Sequence, residues 1–253
     1  MTSFGTLFKV MSRDRFRLVN KIILAELAVI AVTLLWSLMT SGVEGGEIFG
    51  VTGAWSFPTF WIVFIMLSVA NERVFTRDTY RLIPIGETKL YTVNLLSAFA
   101  MILYFAVVQV IFYLVTMMAE KDYLLRLFSD ISGGPDTATA VKATLGMFIL
   151  GLSIIIMGLT TISLVHLTVS ATNNFLPNIS RRAVDIVLYI IVIYLLVRIA
   201  IFVFNEINNF GSLLSTGMQT QFILNICGVL VIALVEAIIN VFLLKKWVET
   251  IPN

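Results

Sequence analysis

Residues 92–118 read TVNLLSAFAMILYFAVVQVIFYLVTMM, a run with no charged residue, no glycine and no proline. Its apolar positions are continuous, without the alternation of a half-buried strand, and nothing in it breaks a helix. An α-helix rises ~1.5 Å per residue and the hydrocarbon of a bilayer is ~30 Å thick, so about 20 such residues cross it. The stretch therefore predicts a transmembrane helix.

Five other stretches read the same way. Spans are expected at about 21–41, 54–71, 92–118, 143–170, 183–205 and 221–244, with Pro58 in the first turn of the second, where a missing N–H costs little. Composition agrees: apolar residues make up 59% of the 253-residue chain before its 15 glycines are counted, and charged residues only 13%. A soluble domain carries ~25% charge and still exposes much of its surface to water. The expected fold is an all-α membrane protein of six transmembrane helices, one transmembrane domain over residues 1–253, in the cell membrane.

Phe4, Leu7, Phe8 and Met11 form an apolar stripe ahead of the first span, among Lys9, Arg13, Arg15 and Arg17. This predicts an amphipathic helix lying at the interface rather than a cleavable signal. Lysine and arginine then set orientation. With the N-terminus inside, inner segments hold clusters such as Arg73, Arg77, Arg81 and Lys89, then Arg181 and Arg182, then Lys245 and Lys246. Outer loops hold only Lys121, Arg126 and Lys142. Both termini are expected to be cytoplasmic. Residues 42–53, glycine-rich and acidic, read as a flexible outer connection, and residues 119–142 as an outer loop with a surface helix ended by Gly133, Gly134 and Pro135.

Several chemistries are excluded. Cys227 and His166 are the only cysteine and histidine, so neither an intrachain disulfide nor a Cys/His zinc site can form. A net charge of +2 gives no footprint for nucleic acid. No Gly-x-x-x-x-Gly-Lys-Ser/Thr loop is present to wrap phosphates, so the chain itself is not expected to be an enzyme.

The inner loop 72–90 is too long and too apolar for a connector, since loops have a median of ~4–6 residues. Tyr80, Leu82, Ile83 and Ile85 have no membrane to bury them, and Arg77, Arg81 and Glu87 stand among them. Packing against another protein is the expected use. Glu72, Arg73, Thr79, Leu82, Pro84, Ile85, Lys89 and Leu90 follow a pattern that resembles the first cytoplasmic loop of type-2 ABC exporter permeases. In that family the loop forms the coupling helix that seats in the ATPase subunit. Asp78 departs from the family's usual glycine and Asn94 from a common lysine. The wording of residues 78–84 is similar to small permeases of Gram-positive bacteria, some in antimicrobial-peptide export or resistance systems. The resemblance implies a permease subunit of an ATP-driven exporter of a peptide, lipid or drug. It would pair with an identical or homologous permease and with two ABC ATPases that hold the ATP and magnesium, with no cofactor bound by the permease itself.

Polar groups inside spans carry a competing reading. Each intramembrane ionisable group costs ~2.5–3.5 kcal/mol by insertion scales, which makes it a functional candidate. Glu236 lies about 12 Å from the inner end of its span and Arg198 about 10 Å from an outer end, within reach of snorkelling. Glu26 and His166 lie nearer the inner interface, and Gln109, Asn225 and Asn240 suit interhelical hydrogen bonds. An ion- or proton-coupled secondary transporter using Glu236, Glu26 and His166 is the alternative. An intramembrane enzyme lacks the residues it would need.

Overall fold

The computed structural model describes residues 3–40, 42, 45–76, 85–123, 137–173 and 218–246, with shorter pieces between 186 and 205. Its elements are α1 (Phe4–Thr40), α2 (Glu47–Thr76), α3 (Glu87–Ala119), α4 (Thr137–Asn173) and α5 (Met218–Lys246). All five are long and apolar enough to cross a membrane. Large apolar side chains such as Leu24, Val32, Trp36 and Met39 are more than half exposed, which fits lipid as their solvent. This is a multi-pass membrane protein.

The six-span layout is corrected to five spanning helices among the described residues. Of the expected span 183–205 only 186–187, 189–195, 197–198, 201–202 and 205 are described, all helical, so it is not counted among the five. The placement of both termini on the cytoplasmic side, drawn from the lysine and arginine bias across six spans, falls with that layout. The separate interfacial helix is also corrected. Residues 4–40 form one helix, because no glycine or proline interrupts residues 6–41 and the basic residues there are good helix formers. Gly42, in the left-handed region at φ 78°, ends it with a bond from its N–H to the Ser37 carbonyl at 3.1 Å.

The connection after α1 is shorter than the glycine content suggests, since α2 already begins at Glu47. Pro58 is consequently an interior residue of α2 and not part of its first turn. The early start has an identifiable cause. Both carboxylate oxygens of Glu120, just past α3, take backbone N–H groups of the α2 N-terminus: Gly46 at 3.1 Å, Ile48 at 3.0 Å and Phe49 at 3.0 Å. These are among the donors that a helix cannot satisfy internally, and the negative charge also suits the positive end of the helix dipole. Of the expected surface helix at 119–142, only Lys121–Tyr123 and the start of α4 fall within the described residues.

The chain divides into two compact units. One holds residues 3–70 and 96–139. In it α1 buries a narrow stripe of Leu7, Met11, Arg15, Val19, Ile23, Glu26 and Ile30, spaced three or four apart. Arg15 donates to Ser97, Tyr104 to Asn20 at 2.8 Å, and Gln109 to Glu26 at 2.7 Å, so α1 and α3 climb in the same direction. Contacts of Ser56 with Gln109 and of Phe49 with Tyr113 show α2 running the opposite way. The other unit holds residues 71–95 and 140–253, with a core of Phe75, Tyr91, Leu167 and Leu244 in which Phe75 and Tyr91 stack at 5.6 Å.

The Glu120 cap depends on a backbone only glycine adopts easily. Gly46 has φ 91°, and a Cβ there would meet the Tyr123 ring. Gly46→Ala is expected to cost about 1–2 kcal/mol from the left-handed backbone alone, whereas Gly50→Ala, in a helix with open space around it, should be neutral or gain up to ~1 kcal/mol. Thermal unfolding of both variants in detergent by circular dichroism checks this. Equal melting temperatures would remove the cap from the account.

Candidate functional site

Three clusters of buried polar groups stand out, one in the first unit and two in the other. In the unit of residues 3–70 and 96–139, Glu26 comes from α1, Ser56 from α2 and Gln109 from α3. Gln109 Nε2 donates to Glu26 Oε2 at 2.7 Å, and the Ser56 hydroxyl donates to Gln109 Oε1 at 2.8 Å or to the Thr52 carbonyl at 2.8 Å. The amide thus links carboxylate and hydroxyl across three helices. Glu26 Oε1 is buried with no hydrogen-bond partner among the described residues. Glu26 is buried in this polar link between helices.

In the other unit, the first cluster gathers at the end of α2. Ser163 of α4 donates to Glu72 at 2.6 Å, and Asn71 Nδ2 lies 3.1 Å from Glu72 Oε1 and 3.0 Å from Ser163 Oγ. Asn94 of α3 donates to the Asn71 carbonyl at 2.9 Å. Asn94 and Ser163 are fully buried. Three helices are therefore pinned where the segment 77–84 leaves α2. A short neutral amide fits this enclosed spot at position 94. Glu72 and its neighbour Arg73 part company: Glu72 turns inward and Arg73 is exposed.

The second cluster in this unit surrounds Glu236 of α5. Thr160 Oγ1 lies 2.7 Å from Glu236 Oε2, and Thr161 Oγ1 lies 2.9 Å from both carboxylate oxygens. One turn along α5, Asn240 Nδ2 donates to the Thr160 carbonyl and to the Tyr91 hydroxyl, each at 2.9 Å. Among the described residues no lysine or arginine pairs with Glu236 or Glu26, whose bonds come from neutral donors.

The remaining expected residues fall elsewhere. His166 Nδ1 meets Tyr189 OH at 2.9 Å, and its Nε2 is buried without a partner among the described residues. Arg198 is exposed, donates to Tyr194 OH at 3.1 Å and lies over that ring at 5.6 Å, a contact within its own turn. Asn225 is half-buried on α5. Of the loop residues, Ile85 and Lys89 are half-buried, and Glu87 opens α3 with its charge at the positive end of the dipole. Arg77, Thr79, Tyr80, Arg81, Leu82 and Pro84 lie outside the described residues. No group of three or more histidine, cysteine, aspartate or glutamate side chains placed to hold a metal ion occurs among the described residues.

Sequence reasoning missed Asn71, Tyr91, Thr160, Thr161, Ser163 and Glu120. Thr160 and Ser163, three apart in an apolar run, carried a signal, since hydroxyls on one face of a span mark a helix contact. Glu120 carried none, because its partners are backbone groups distant in sequence.

The pinning of α2 to α3 can be tested through Asn94. Asn94→Leu is expected to lower stability by about 0.6–2 kcal/mol, the range for interhelical hydrogen bonds in membranes. Asn240→Leu removes two such bonds and should cost more. Melting curves in one detergent report both, and a stable Asn94→Leu protein would show the bond to be dispensable.

No family model, no curated protein and no solved structure matches this chain, so what it does is argued from this geometry alone.

Proposed function

We propose that the chain is a cation-coupled membrane transporter in which Glu26 and Glu236 carry the coupling charge. The supporting observation is the placement of both carboxylates inside apolar helices with neutral hydrogen-bond donors around them. A carboxylate in such surroundings is costly while it stays ionised and uncompensated. Binding a proton or a metal cation neutralises it. Occupancy then changes which interhelical bonds the side chain accepts, and that is how a bound ion biases one packing arrangement over another. Each carboxylate joins different helices, so loading it affects how those helices hold together. His166, half-satisfied near Tyr189, is a third group able to hold a proton.

The test uses proteoliposomes carrying an imposed proton or sodium gradient, followed by a pH-sensitive dye or by radioactive sodium. Gradient dissipation above that of empty liposomes is expected for the wild type and should fall at least about tenfold, equivalent to ~1.4 kcal/mol, in Glu236→Gln or Glu26→Gln. Wild-type liposomes no leakier than empty ones under either gradient would sink the coupled reading.

A second reading rests on a different observation. Asn71, Asn94, Ser163 and the stacked Phe75 and Tyr91 fasten both roots of the segment 77–84. A firmly rooted segment is suited to pass a push into the helices. On this reading the chain is the permease subunit of an ATP-driven exporter, with two ABC ATPases and a second permease as partners and ATP and magnesium held by the ATPases. Leu82→Asp or Tyr80→Asp should then abolish co-purification with an ATPase encoded beside this chain and the transport-linked ATPase activity. Unchanged complex and activity would remove the docking role.

A further inference from the structure

The two carboxylates differ in the chemistry around them. Gln109 meets Glu26 through its amide nitrogen, which donates and has no lone pair to offer a cation. Glu236 is met by two hydroxyls, which can either donate a proton or present lone pairs.

Thr160 makes the difference concrete. Its single hydroxyl proton has three acceptors in range: Glu236 Oε2 at 2.7 Å, the Met157 carbonyl at 2.9 Å and the Ile156 carbonyl at 3.2 Å. It can turn that proton to its own helix and leave its oxygen lone pairs facing Glu236. Asn240 adds a further oxygen. The Thr160 carbonyl can only accept, so the Asn240 amide nitrogen must face it, and the same nitrogen reaches Tyr91 OH. Asn240 Oδ1 is thereby left without a donor among the described residues, in a side chain with no solvent exposure, one helical turn from Glu236. A buried oxygen without a donor is a cost unless something positive meets it.

From this we infer that Glu236, Thr160, Thr161 and Asn240 form a binding site for an alkali cation of sodium or lithium size. Four oxygens are in contact, two from the carboxylate and two from the hydroxyls, and Asn240 Oδ1, one helical turn along α5, is offered as the fifth. Hard cations take oxygen donors, and one carboxylate neutralises one unit of charge. A divalent ion would keep an uncompensated charge in an apolar setting. Tyr91 serves as a positioning residue that holds the Asn240 amide in the orientation exposing Oδ1. The inference rests on the coupled-transport reading for its purpose and names the coupling ion at this carboxylate as a metal cation rather than a proton.

The full chain, purified in detergent, is titrated with NaCl against choline chloride at constant ionic strength, following the melting temperature and the binding of radioactive sodium. A saturable rise in melting temperature with sodium or lithium, absent with choline, is expected, because a ligand bound only by the folded state stabilises it. Glu236→Gln should abolish the response. Thr161→Val, whose hydroxyl bonds go only to Glu236, should shift the midpoint upward by about tenfold. Absence of sodium binding in the wild type, or an equal response in Glu236→Gln, overturns the site. If sodium binding is absent while gradient-driven proton entry still depends on Glu236, the metal-cation inference falls and coupled transport stands. If neither ion responds, both fall.

Discussion

A polar side chain placed in an apolar helix has to be met by a donor or acceptor from another helix, because neither lipid nor the packed interior can supply one. That constraint shapes this protein more than apolar packing does. Its helices are apolar almost all round, and an apolar surface prefers another helix over lipid only weakly. The neighbours of each helix are therefore identified by its few polar positions. Arg15 finds Ser97, Glu26 finds Gln109, Glu72 finds Ser163 and Glu236 finds Thr160 and Thr161.

The same constraint operates on the backbone. The first turn of α2 has N–H groups with no partner of its own, and Glu120 supplies three bonds from the end of α3. Gly46, without a Cβ, leaves room for the Tyr123 ring beside that arrangement. A stretch that looks like a slack tether in composition becomes a capped helix start, which moves Pro58 into the helix interior.

The clusters differ in what they suit. Around Glu72 an acid, two amides and a hydroxyl bond to one another where α2 ends, which is an arrangement for holding helices in register, with Asn71 Oδ1 left over among the described residues. Around Glu236 the hydroxyls have a choice of acceptors and an amide oxygen is left over, which is an arrangement for accepting something positive. Glu26 sits between these cases, with one oxygen held and one open.

What the residues alone determined was solvent and secondary structure. Continuous apolar runs of membrane-crossing length in a chain of 13% charge admit helices in a bilayer and little else. Periodicity also singled out Glu26, Glu236, Gln109 and Asn240 as groups out of place in lipid. Helix ends and span count were less legible: α1 absorbed a segment read as separate, and residues 183–205 did not supply a sixth crossing among the described residues. Partnership was decided only by the tertiary structure. Thr160 and Glu236 lie far apart along the chain, and an apolar helix carries no local mark of which neighbour will face it, so only packing could bring that hydroxyl to that carboxylate.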